Sequence, residues 1–351
     1  MPKKRNSACA EPCYKSPSPA GTFRLVKGVG IGPMTRTALL NWALYVAVMA
    51  ASLLWLGWGK PFAIVGLFIT AGLAVGSLYA LGGIGMVVLF RASGVLNFSS
   101  GAAGAAGAMT AWQVAQWGFW PPLSWLACIS VALILTLAYG RFIAPLLAWR
   151  ETVVKAVATL GFALILLGLV AFSWPDDPRA LTLPTDSLGI VLLGLRVTGT
   201  RVVAFAASVL ICIGITVFLG RTEIGLHMRA VANDRDLSAL IGIPILRVET
   251  IAWAIAGLLA GFTGLMFANL IRLEPVVITF MVIPSIAAAL SGRLDNLGLT
   301  LIGGLSMGVI ESMLTLSPAL KGVRPIAPFV IAALVLLYNQ SGNRLAFAGR
   351  A

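Results

Sequence analysis

Glu311 lies inside the apolar run GGLSMGVIESML, Gly303 to Leu314. An ionised carboxylate at membrane depth is costly unless it is paired, protonated or facing water, so by default it points to function. Two readings stand: a helix-contact residue bridging backbone groups of a neighbour, or a lining residue of a solute path. Asn97, Ser99 and Ser100 lie in GVLNFSSGAAGAAG, Gly94 to Gly107, where polar side chains precede Gly101, Gly104 and Gly107. A broken helix lining a cavity would use such a stretch, since free backbone groups at that depth need protein or water partners. A loop followed by a close-packed small-residue helix face gives the same pattern.

Other chemistries find no residues to carry them. His227 is the single histidine and has no metal-ligand spacing around it. Cys9 and Cys13 lie in a polar tail without a second pair or a nearby histidine, which reads as two free thiols. Cys128 and Cys212 fall in apolar segments, where a thiol behaves as a small hydrophobe. The phosphate-cradling pattern G-x-x-x-x-G-K-[ST] does not occur, and no nucleophile–base pair is evident. Neither an enzyme nor a resident cofactor or metal is expected.

The elements that must position these residues follow from composition. Of 351 residues, 59% are hydrophobic and only 11% charged, where soluble domains run near a quarter charged. A bilayer span needs about 20 consecutive apolar residues. Candidate spans fall at 38–57, 62–90, 101–119, 123–145, 153–174, 202–219, 250–271, 276–291, 298–316 and 325–338. The run at 276–291 is short for a span, with a re-entrant segment as the alternative reading. The expected fold is an all-α polytopic membrane protein with about 8–10 transmembrane helices.

The net charge is +13. The basic residues sit between apolar segments rather than on one soluble face, which speaks against nucleic acid and for the positive-inside rule. With the N-terminus inside, Lys60, Arg179, Arg196, Arg201, Arg272, Lys321 and Arg324 fall outside, and the other 18 of the 25 Lys and Arg fall inside. The expected domains are a disordered basic tail at 1–37, an extra N-terminal transmembrane helix at 38–58, a membrane domain at 62–340 and a cytoplasmic tail at 341–351. Met34 directly precedes the first span, so residues 1–33 are expected to be dispensable.

Two loops are long. Ser173 to Arg201 falls outside, with Pro175, Pro178, Pro184 and three aspartates. Gly220 to Glu249 falls inside and carries a helical pattern. Thr222 with Glu223 starts one helix, with Leu226, Ala230 and Val231 expected on one face. Asp234 caps a second, with Leu237, Leu240 and Ile241 on its face; Gly242 suits the C-terminal cap and Pro244 blocks continuation. The apolar face of this hairpin needs a cover, either its own membrane domain or a separate partner.

The run GLAVGSLYALGGIGMVVLFRASGVLNFSSGA (Gly72 to Ala102) resembles the opening signature of the branched-chain amino acid ABC transporter permease family, the inner-membrane permease subunits. TEIGLHMRAVANDRDLSALIGI (Thr222 to Ile243) is similar to that family's coupling loop, with Thr222, Gly225, Arg229, Ala230, Leu240, Gly242 and Ile243 on its pattern. AIAGLLAGFTGLMFA (Ala254 to Ala268) and GGLSMGVIES, which includes Glu311, resemble two further segments. Ser99-Ser100 replaces the family's Ala-His, and Ser291-Gly292 its Gly-Gly.

The resemblance, over about 66–338, implies an ATP-driven importer subunit acting by alternating access. Its implied partners are a second permease subunit (a hetero-dimer), two cytoplasmic ATPases that bind the ATP, and a periplasmic solute-binding protein. Thr222, Gly225, Leu226, Arg229, Ala230, Val231, Leu240, Gly242 and Ile243 would form the ATPase-coupling loop. Asn97, Ser99, Ser100 and Glu311 would line the pathway. Related permeases carry branched-chain amino acids, urea or short amides, and an ATP-independent secondary transporter is the reading from another class.

Overall fold

The computed structural model describes residues 36–316 except 58, 149, 175–178, 188, 193–194 and 272, with scattered positions from 322 to 334. The N-terminal tail with Cys9 and Cys13, much of the expected span 325–338 and the tail 341–351 lie outside the described residues. Five helices come first: α1 (Arg36–Gly57), α2 (Phe62–Ser93), α3 (Ser100–Gln116), α4 (Pro121–Ala138) and α5 (Thr152–Ser173). An antiparallel hairpin follows, β1 (Gly189–Leu192) on β2 (Leu195–Thr198), with Gly189 opposite Thr198. Then come α6 (Gly199–Arg221), α7 (Glu223–Asn233), α8 (Arg235–Leu240), α9 (Ile245–Leu270), α10 (Pro275–Phe280), α11 (Val282–Ser291) and α12 (Leu297–Leu314). The protein is an all-α polytopic membrane protein, and the short β-hairpin is a local addition that the hydrophobic pattern did not reveal.

Among the described residues, six helices are long and apolar enough to cross a membrane: α2, α4 with its extension to Leu147, α5, α6, α9 and α12. In their most apolar stretches α2 is 78% and α9 72% buried, against 22% for α4 and α5 and 28% for α6. So α2 and α9 form the centre, and α4 to α6 form a rim whose Leu164, Ile165 and Phe172 are exposed, as suits contact with lipid.

Packing partners give each helix its direction. Gly72 of α2 meets Val309 of α12, Gly76 meets Gly304, and Gly83 meets Thr300, so these two helices run antiparallel. Gly85 of α2 meets Leu259 and Ala256 of α9, and Tyr79 meets Phe267, so α9 is antiparallel to α2 as well. Helices α9 and α12 therefore run the same way, and the chain between them must cross back. The α10–α11 unit makes that crossing, from the Arg179–Leu273 bridge at one end to the Arg91–Asp295 ion pair at the other. It is a broken span rather than a re-entrant one.

Close helix contact is built on glycine. A Cβ at Gly76 would lie 2.7 Å from the Gly304 carbonyl oxygen, and one at Gly304 would lie 2.6 Å from the Ala80 nitrogen. Lipid supplies no hydrophobic drive between helices, so such backbone approach is what holds them.

Candidate functional site

Helix α2 ends because Gly94 takes φ +67 and donates its N–H back to the Phe90 carbonyl, the left-handed cap that glycine adopts without steric cost. The chain then turns through a buried elbow before α3. The Thr159 hydroxyl of α5 clamps that elbow, accepting from the Phe98 N–H (3.1 Å) and lying 3.0 Å from the Leu96 carbonyl. Within the elbow, Asn97 Oδ1 accepts from the Ser99 N–H at 2.9 Å and from the Ser99 hydroxyl at 2.7 Å. Asn97 and Ser99 are both 1% exposed.

Helices α2, α3 and α9, the α10–α11 unit and this elbow line a narrow, partly open cleft with an interior volume of about 30 Å³. Asn97, Ser100, Gly101 and Gly104 form one wall; Gly82, Gly85 and Met86 of α2 form another. Ala260, Thr263 and Phe267 of α9 face Ile278, Met281 and Ser285 of the broken span. Ser99 does not line it, because its side chain is spent on Asn97.

Glu311 is 8% exposed and borders a second cavity, between the far ends of α2, α9 and α12, with Gly72, Val75, Leu270 and Ser312. The Tyr79 hydroxyl donates to Glu311 Oε2 at 2.9 Å and lies 3.6 Å from the Met281 sulfur, which lines the first cleft. Tyr79 thus links one lining residue of each cavity. Sequence reasoning missed it; its place in the Tyr-Ala-Leu of the glycine-rich helix was the available signal.

The hairpin of α7 and α8 sits at the end of the bundle where α6 finishes and α9 begins. Thr222 accepts from the Gly225 N–H at 3.1 Å, and Asp234 from the Leu237 N–H at 2.9 Å, so each helix has a side-chain cap. Gly225 packs on the Leu219 backbone with no room for a side chain. Gly242 takes φ +84; its N–H reaches the Ala239 carbonyl and the Ile243 N–H that of Ser238, a Schellman end. Arg229 Nε reaches the Gly225 carbonyl at 3.3 Å.

Val231 does not share the expected face of Leu226 and Ala230. Val231 is 6% exposed and Met228 1%, both turned to the protein, while Leu226 is 58% exposed. Five positions on a helix is about 140° past a full turn, enough to part Leu226 from Val231. The free apolar surface consists of Leu226, Leu237, Leu240 and Ile241. An ion pair from Arg235 to Glu249 at 2.7 Å ties α8 to α9.

Residues 68–338 match the family described as branched-chain amino acid transport system / permease component. The chain belongs to this family. The high-affinity branched-chain amino acid transport system permease protein BraD of Pseudomonas aeruginosa is 26% identical over 290 residues, 77% of this chain and 92% of that protein. The probable branched-chain amino acid transport permease protein LivH of Methanocaldococcus jannaschii is 26% identical over 247 residues, 68% and 78% of the two chains. The LivH permease protein of Salmonella typhimurium is 26% identical over 290 residues, 77% and 92%. These relatives are transport components rather than enzymes.

The family match takes in the elbow, both cavities and the hairpin, and it begins after α1. Helix α1 nonetheless packs on the bundle: Tyr45 is 6% exposed, and the Trp42 ring lies beside Gly298 at the start of α12.

Proposed function

We propose that this chain is the membrane-spanning permease subunit of an ABC importer that carries branched-chain amino acids or a related small polar solute. It would work in the inner membrane with its N-terminus and hairpin cytoplasmic, beside a second permease subunit. Two separate ATPases would bind the ATP, and a periplasmic binding protein would deliver the solute. The hairpin carries this reading. Its inner side, Met228 and Val231, is anchored to the bundle, while Leu226, Leu240 and Ile241 are 58%, 85% and 68% exposed. Apolar side chains held outward on a capped, rigid pair of helices suit a cleft on another protein. Thr222, Gly225, Arg229, Ala230, Gly242 and Ile243 shape the hairpin, and Leu226 and Leu240 make the contact. Asn97, Ser100 and Glu311 border the pathway, with Ser99 bracing it.

The test is the assembled transporter in proteoliposomes. Leu226→Asp with Leu240→Asp is expected to leave the permease folded and to abolish ATP-driven uptake. Uptake equal to the wild type would refute the docking role.

A further inference from the structure

Two kinds of hydrogen-bond donor lie at the elbow, beside the first cleft. The first-turn N–H groups of a helix have no partner within it. Ser99 stands at the N-cap of α3, yet its side chain does not cap the helix and donates to Asn97 instead. The second donor is the Asn97 amide nitrogen. The Ser99 N–H can only donate, so the atom it binds must be the Asn97 oxygen, which fixes Nδ2 on the other side. That nitrogen is buried and has no hydrogen-bond partner among the described residues, and Asn97 lines the cleft together with Ser100 and Gly101. A buried amide donor left unpaired is costly. Here it lies beside the positive end of a 17-residue helix.

We infer that the start of α3 and Asn97 Nδ2 form the subsite that holds the carboxylate of a small aliphatic amino acid in transit. The helix end supplies N–H groups and positive partial charge, and Asn97 adds a directed donor. None of the residues lining the cleft carries a formal charge, so an anion meets no fixed carboxylate there. Met86, Leu259, Phe267, Ile278 and Val282 supply apolar surface for an aliphatic side chain. A neutral urea or amide gains little from the helix dipole, so the subsite favours the amino acid among solutes of the family. The inference rests on the importer reading above and narrows its substrate.

The complete transporter in proteoliposomes, supplied with ATP and radiolabelled L-leucine, tests it. Asn97→Asp keeps an oxygen for Ser99, and so keeps the elbow, but replaces the free donor by an acceptor. Leucine uptake at about pH 8 should fall about tenfold or more, the scale of a hydrogen bond to a charged group. As pH falls toward about 5 the introduced carboxyl takes a proton and donates again, so uptake relative to wild type should recover. Ser100→Asp is a second variant. An acidic residue in the first turn favours the helix end, which offsets part of the cost of a carboxylate at this half-buried site; with subunits still co-purifying, leucine uptake should drop by a similar factor.

Wild-type uptake in either variant would overturn the subsite and leave the importer reading intact. A loss in Asn97→Asp that acidification does not relieve, with subunits still co-purifying, would make Asn97 a brace of the elbow and overturn the subsite. A wild-type complex that moves urea or acetamide in place of leucine would overturn both the subsite and the branched-chain reading.

Discussion

The hairpin and the cleft are built on opposite principles. The hydrogen bonds that start and end the hairpin helices join near neighbours: Thr222 to Gly225, Asp234 to Leu237, Ile243 to Ser238. The cleft draws Gly82, Asn97, Ala260 and Ser285 from four separate segments, and glycine contacts between backbones hold those segments at their spacing. The hairpin can therefore change its exposed side chains without losing its shape. The cleft depends on helix crossings that run the depth of the bundle.

The crossing is where that difference can be broken most severely. Gly76→Leu would drive a side chain into the Gly304 backbone, which cannot move as a flexible side chain would. Overpacking costs about 1–3 kcal/mol where side chains can adjust, and more than about 3 kcal/mol is expected here. Thermal unfolding of the detergent-purified chain should show a broad destabilisation. An unchanged midpoint would mean that α2 and α12 are not held by this approach.

Next is a pair of substitutions within the hairpin. Val231→Asp buries a carboxylate against the bundle and should destabilise the hairpin by about 3 kcal/mol. Leu226→Asp places its charge in water and should leave stability within about 0.5 kcal/mol. Hydrogen exchange of the α7 amides separates them. Equal protection in the two variants would contradict the inward and outward assignment.

These two regions also differ in how much of them the sequence showed. Thr222, Asp234, Gly242 and Pro244 announced both hairpin helices and their ends, because capping is decided within a few residues. The helical runs of the bundle were legible for the same reason, hydrophobic length being local. The facing of Val231 was not, since it depends on where α2 and α9 pass beneath α7. The role of Tyr79 stayed hidden because its partner, Glu311, is 232 positions away. Asn97, Ser99 and Ser100 stood out in the sequence as polar residues ahead of a small-residue helix, and all three fall at the elbow. Only the direction of the Ser99 hydroxyl divided them into a brace and a cavity lining. The run at 276–291 was too short to classify alone, and the shared direction of α9 and α12 resolved it.

Glu311 gives a smaller effect that bears on the cavities. Glu311→Gln keeps an oxygen for the Tyr79 hydroxyl, whereas Glu311→Ala leaves that buried hydroxyl without this acceptor. If the residue is chiefly a helix bridge, Ala should cost about 1–3 kcal/mol and Gln less than about 1 kcal/mol in thermal unfolding. Uptake in the assembled transporter should then survive Gln. A stable, assembled Gln variant that fails to transport would move Glu311 from the helix contact to the solute path.

The smallest expected effect lies at the end of the bundle away from the hairpin, in the loop before α6. Asp186 accepts from the Leu183 N–H at 2.9 Å, the Thr200 hydroxyl at 2.6 Å and the Asn269 amide at 2.7 Å, so it ties that loop to the ends of α6 and α9. Burial pushes the Asp186 carboxyl up, but the hydrogen bonds from Thr200, Leu183 and Asn269 outweigh burial and hold it below its ordinary value of 3.8. A pKa lowered by folding stabilises the folded loop above the unfolded value, and that contribution is lost as pH falls through the folded value. Protection of the Leu183 amide from hydrogen exchange, corrected for the intrinsic pH dependence, should therefore hold at mildly acidic pH and fall only below about 3.8. Asp186→Asn can still accept hydrogen bonds but carries no charge, so its protection should be weaker and insensitive to pH over this range. The carboxyl is partly exposed, so solvent screening keeps the change modest and confined to the loop. Protection that declines already near pH 6, or that follows the same profile in Asp186→Asn, would show that another group holds the loop to the bundle.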